Sequence, residues 1–169
     1  LQQQLKAPAS KADSTRIIAE LKKTDKEVKD YREDFIKKNP HSLLAALLIT
    51  MREPELTGPL ADPKTKDDSV AAYTSYKKQY WEGVNFWDGR LAYTTFFEEK
   101  LDKYFNQLVQ PHPDSVIKEI DYMLGFASVN EEMTRFLLIK FVNRYLNQKY
   151  MWEDAVFVHL FEKYFASKT

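Results

Sequence analysis

The sequence predicts an all-α domain of about seven helices. Glycine is scarce, at 4 residues in 169, while 11 Phe, 10 Tyr and 3 Trp supply large side chains suited to helix packing. Apolar residues recur three and four positions apart in successive segments, and Pro, Gly, Ser, Thr or Asn punctuates those segments where helices should begin or stop. The length fits one domain, with residues 1–10 expected as a flexible N-terminal segment, 11–169 as a single helical domain, and a loop at about 53–68.

Between Lys11 and Lys38 there is neither Gly nor Pro. Ile17, Leu21, Val28, Tyr31 and Phe35 are spaced along a densely charged stretch, which predicts a long, exposed helix with one narrow apolar stripe. Asn39 can cap the next helix with Pro40 at its first position, and Leu43, Leu44, Leu47, Leu48 and Met51 predict a broad face central to the core. Pro54, Gly58, Pro59 and Pro63 favour a mobile loop. Helical character returns over Ser69 to Trp81, with Val70, Tyr73, Tyr76, Tyr80 and Trp81 as an aromatic face, before Gly83, Asn85 and Gly89 break it.

Thr95 and Glu98 have the spacing of a capping box ahead of Phe97, Leu101, Tyr104, Phe105 and Leu108. Pro113-Asp114-Ser115 starts a helix that turns Val116, Ile117, Ile120, Met123 and Leu124 inward. Ser128 with Glu131, or Asn130 as the cap, starts another that carries Met133, Phe136, Leu137, Phe141 and Tyr145 and ends near Asn147 to Tyr150. Val156, Phe157, Leu160, Phe161, Tyr164 and Phe165 mark a strongly amphipathic last helix over Glu153 to Ala166.

Charge and composition narrow the function. The 25 basic and 25 acidic residues cancel, so nothing steers the chain toward nucleic acid or an anionic membrane. The longest apolar run, Leu43 to Ile49, is too short to span a bilayer, and no direct membrane insertion by this segment is expected. With no Cys, the chain offers no thiolate nucleophile, Cys-x-x-Cys pair or Cys-based zinc site. The start at Leu1, without Met or a signal-peptide pattern, predicts a piece of a longer polypeptide.

Catalytic, cofactor and metal assignments are all none. His41, His112 and His159 lack helical metal-site spacing, and the common phosphate-loop and hydrolase motifs do not occur. His159 and Glu162 share a helix face and could form an acid/base pair, but such spacing is common among ordinary polar surface contacts, which is the favoured reading. Glu98-Glu99, Glu131-Glu132 and Glu153-Asp154 fall in first helical turns, where the helix dipole favours them without any catalytic role. Trp81, Phe86, Trp87, Asp88 and Arg90 are the candidate partner-contact residues, because Trp and Arg dominate interface hot spots. The competing expectation makes the same rings an interior lock, with Asp88 paired to Arg90.

Taken as an ordered set, five pieces carry a family resemblance: Asn39-Pro40 with its Leu-rich sequel, the Phe86 to Leu91 turn, the Thr95 to Phe105 segment, the Pro113 to Ile117 helix start, and Val158 to Phe165. The chain resembles the helical domain of unknown function that precedes the thioredoxin-like domain in Bacteroidetes TlpA-type thiol-disulfide interchange proteins. That resemblance implies a non-catalytic spacer, docking or substrate-positioning role in a periplasmic or outer-envelope setting. The partner it implies is the downstream thioredoxin-like domain of the same polypeptide, or an envelope protein. A stand-alone helical module recognising peptides or proteins is the alternative, although no repeat relates the helices.

Overall fold

The computed structural model describes residues 11–166; the expected flexible segment 1–10 lies outside them. It is all-helical. In chain order the helices are α1 (Lys11–Lys38), α2 (Leu43–Thr50), α3 (Lys66–Gln79), α4 (Thr95–Gln107), α5 (Pro113–Ala127), α6 (Glu131–Leu146) and α7 (Glu153–Tyr164), with short 3-10 turns at Gly58–Leu60 and Gly89–Tyr93. The chain divides into two compact units, with the boundary after Leu48, inside α2.

In the first unit α1 is solvent-facing over most of its 28 residues, with Ile17 buried and Val28 and Tyr31 exposed. Ion pairs at i,i+4 such as Asp34–Lys38 (2.7 Å) support it only weakly, because both partners stay hydrated. Asn39 ends α1 instead of capping α2: its backbone N–H and its side-chain amide both donate to the Phe35 carbonyl, at 2.9 and 3.1 Å. The cap of α2 is Ser42, whose hydroxyl accepts the Ala45 N–H at 3.1 Å. The broad inward face expected of α2 does not form. Ala45 and Thr50 are buried, whereas Leu43, Leu44 and Met51 are exposed. A stretch as uniformly apolar as Leu-Leu-Ala-Ala-Leu-Leu-Ile has no polar side to orient it.

The second unit is built around α6, which packs against α5, α7 and the Gly89–Tyr93 turn, while α5 and α7 also pack together. Met133, Leu137, Phe141 and Tyr145 run down its buried stripe at i,i+4 spacing. Phe97, Leu101, Tyr104 and Phe105 of α4, Ile120, Met123 and Leu124 of α5, and Val156 and Leu160 of α7 complete the core. Each such burial contributes about 1.5–3 kcal/mol.

Local chemistry sets most helix starts. Pro113 opens α5 at its first turn, and the Asn130 side chain accepts the Met133 N–H at 2.9 Å to cap α6, leaving Ser128 to donate to the Gly125 carbonyl. Helix α3 begins at Lys66, ahead of the expected Ser69, because Thr65 and Asp68 form a reciprocal capping box. The Thr95–Glu98 box is not made. Thr94 precedes α4 and donates its hydroxyl to the Leu91 carbonyl, while Glu98 bonds Lys140 of α6. A cross-helix cation has taken the carboxylate that a box would use. Phe161 on α7 and Phe165 just after it are exposed, so the amphipathicity of this segment is weaker than the spacing predicts.

Candidate functional site

The aromatic turn divides its five candidate residues between interior and surface. Gly83 enters it at φ +77°, where a Cβ would also meet Ile49 at 3.2 Å, so glycine fits here on both conformational and steric grounds. Trp81 and Phe86 turn inward and meet edge-on at 5.3 Å; Trp81 also packs on Tyr80 and Tyr104, and Phe86 on Phe97. The Trp81 indole N–H is buried and has no hydrogen-bond partner among the described residues. Trp87 points the other way and is 58% exposed.

Asn85 and Asp88 shape the backbone on either side of Trp87. The Asn85 side chain accepts the Trp87 N–H at 2.9 Å, and Asp88 caps the following 3-10 turn by accepting the Arg90 N–H at 3.2 Å. Arg90 then lays its guanidinium along the same carboxylate, Nε to Oδ1 at 2.8 Å and Nη2 to Oδ2 at 2.7 Å. These side-chain bonds hold the Asp88 carboxyl below its ordinary value. The result is an exposed indole beside an anchored cation, on a floor of packed rings.

A second cluster centres on a charged residue set within an apolar helical stripe, a pattern visible in the sequence. Lys100 occupies the i+3 position between Phe97 and Tyr104 on the buried stripe of α4, and is itself buried. Its ammonium donates to the Arg52 carbonyl at 2.7 Å and lies 4.3 Å from the Tyr80 ring centroid. Burial, reinforced by Lys103 and opposed by Glu53, pushes its pKa down to about 8. Glu53 receives Lys103 at 2.8 Å and the Tyr76 hydroxyl, and burial together with that carboxylate raises Tyr76 to about 12.

His159 does not pair with Glu162, which is exposed. Its Nε2 lies 3.0 Å from Oδ1 of Asp121 on α5, and the same carboxylate accepts Lys163 at 2.8 Å and the Tyr164 hydroxyl at 2.7 Å. Burial works against the Asp121 charge, but those bonds more than offset it and its pKa falls below the ordinary value. Glu162 faces elsewhere because α7 is held to α5 through the 159/163/164 side.

A cavity of about 720 Å³ opens among the end of α4, the last turns of α6 and the segment leading into α7. On one wall Arg144 donates to Asp102 (3.2 Å) and Asn106 (2.6 Å), with Phe105 and Tyr145 rings against its guanidinium at 5.7 and 5.8 Å. Lys140 donates to the other Asp102 oxygen at 2.9 Å and to Glu98 at 2.6 Å. Burial disfavours the Lys140 charge, yet the two carboxylates outweigh it and raise its pKa. Opposite, Glu153 caps the segment by accepting the N–H groups of Lys149 (2.5 Å) and Tyr150 (3.2 Å), and the Tyr150 and Trp152 rings lie parallel.

These features define a helical domain whose surface carries an exposed indole and a polar cavity. The profile of a family described as "Domain of unknown function (DUF5106)" matches residues 59–169, about two thirds of the chain, and the protein belongs to that family. No curated protein and no solved structure matches it. The matched region falls within the second compact unit, so α1 and α2 lie outside it. Among the described residues, no helix is long and apolar enough to cross a membrane.

Proposed function

We propose that this chain is a non-catalytic helical accessory domain of a cell-envelope thioredoxin-like thiol-disulfide oxidoreductase, working in the periplasm or at the outer envelope as a docking or positioning element. The thioredoxin-like partner comes from the sequence resemblance, and the chain, having no Cys, leaves thiol exchange to that partner. The observation that carries the docking role is Trp87, an indole 58% exposed on a turn whose backbone is fixed by Asn85 and Asp88. Burying such a ring needs little reordering, because its supports are already in place. The adjacent Arg90, oriented by Asp88, adds a charged fork at the rim.

The test begins with the gene. A parent polypeptide without a thioredoxin-like domain overturns the proposal. With that domain in hand, Trp87→Ala weakens its association with the helical domain about fivefold or more, the effect of losing about 1 kcal/mol, while the melting temperature of the helical domain is kept. Unchanged association also overturns it.

A further inference from the structure

We propose that the cavity between α4 and the α6–α7 segment is a binding site for a small carboxylate whose remainder is flat and apolar. Its volume, about 720 Å³, lies in the range of small-molecule sites. Its lining carboxylates are engaged, while several side-chain donors are not. Both Asp102 oxygens are already engaged, by Arg144 and Lys140, and the Glu153 carboxylate accepts two backbone N–H groups. By contrast, Asn143, Lys149, Tyr150 and Trp152 line the cavity and none makes a side-chain hydrogen bond among the described residues; Lys149 and Trp152 can only donate, and Asn143 and Tyr150 can donate or accept. Arg144 donates to Asp102 and Asn106 and also bonds the Tyr145 side chain, which still leaves part of its five-donor fork open.

Charge points the same way. Three cations (Lys140, Arg144, Lys149) and two anions (Asp102, Glu153) line the space; Lys140 also pairs with Glu98 and Arg144 with Asp102, which leaves Lys149 as the lining cation with no carboxylate partner among the described residues. A carboxylate meets that one cation, whereas a phosphate dianion brings a second charge with no further cation left to meet it. Arg144 is held in place by its bonds and by the rings on it, so it receives a carboxylate without first being ordered. The parallel Tyr150 and Trp152 rings offer the apolar surface for the rest of the ligand.

The probe is phenylacetate, titrated into the nitrogen-15-labelled protein and followed by NMR, with 2-phenylacetamide as its neutral counterpart and phenyl phosphate as the dianion. Phenylacetate shifts the Trp152 indole signal saturably, with a dissociation constant of about 1 mM as befits so small a ligand. The amide binds about tenfold more weakly or worse, having lost the charge-assisted bonds. Lys149→Gln, which breaks no side-chain bond, weakens phenylacetate about threefold or more without altering the melting temperature. Arg144→Met weakens it about tenfold, and the Lys149 variant carries the test if Arg144→Met does not fold. Four results overturn the site: no saturable shift at about 10 mM, equal binding of the amide, tighter binding of phenyl phosphate, or indifference to Lys149→Gln.

Discussion

Tyr80 and Lys100 clasp each other at both ends: the Tyr80 hydroxyl donates to the Lys100 carbonyl at 3.0 Å, and the Lys100 ammonium lies 4.3 Å from the Tyr80 ring centroid. Helices α3 and α4 are thereby joined through a buried charge rather than a purely apolar contact. The ring face and the Arg52 carbonyl replace part of the hydration that the ammonium gives up on burial.

This contact predicts an unusual alkaline response. Lys100 titrates near 8 in the folded protein against an ordinary 10.5, so between these values the unfolded chain binds the additional proton. Stability therefore rises as pH goes from 8 toward 10, by about 2 kcal/mol, and is lowest with respect to this group below pH 8. Above pH 10 the trend reverses, because Tyr76, Tyr80 and Tyr104, raised by burial, stay protonated when folded but ionise when unfolded. Urea unfolding from pH 7 to 11 should show the maximum, and Lys100→Met should flatten the rising limb. An identical limb in that variant rules out Lys100 as its source.

Gly89 and Asn130 should be energetically coupled. A Cβ on Gly89 would stand 2.7 Å from the Asn130 Oδ1 that caps α6 and 3.0 Å from Glu132 Oε2. Gly89→Ala should cost about 1–3 kcal/mol by overpacking, and Asn130→Ala about 1 kcal/mol as a lost cap. The double variant should lose less than the sum, since the shorter side chain clears the main clash. Strict additivity in denaturant titrations rejects the coupling.

Trp87 and Phe97 should differ sharply in stability. Phe97 is fully buried among Trp81, Phe86 and Phe136, and Phe97→Ala should cost about 3–5 kcal/mol. Trp87→Ala should cost under about 1 kcal/mol, as expected of an exposed position. Comparable losses in thermal melts would show that Trp87 is a packing residue.

Asp121 should support acid-sensitive stability. Its folded carboxyl titrates below the ordinary 3.8, so its contribution is complete above that value and is lost as pH falls through the folded one. At pH 7, Asp121→Asn should cost about 1–3 kcal/mol through weakened bonds to His159, Lys163 and Tyr164. The difference between wild type and variant should shrink below pH 4. A constant gap down to pH 2 contradicts the assignment.

Features governed by a few neighbouring residues were legible in the sequence. The helical class, the Pro113 start of α5, the Asn130 cap of α6 and the spacing of Met133, Leu137, Phe141 and Tyr145 all follow from short-range geometry. Thr65-x-x-Asp68 was equally present as a local signal, obscured by the prolines before it. The pairing of Asp88 with Arg90, two residues apart, was legible for the same reason.

Tertiary structure decided what depends on which faces meet. Periodicity marks an apolar stripe but does not name its partner, and in α2, apolar on every side, it could not tell exposed Leu43 and Leu44 from buried Ala45. Trp81 and Trp87 are the same residue type six positions apart, yet one faces a ring cluster and the other solvent. His159 meets Asp121 across 38 residues, and Arg144 meets Asp102 across 42. Such contacts carry no short-range spacing rule; they exist only after packing has fixed the relative rotation and height of two helices, and the cavity beside Arg144 is a product of that same packing.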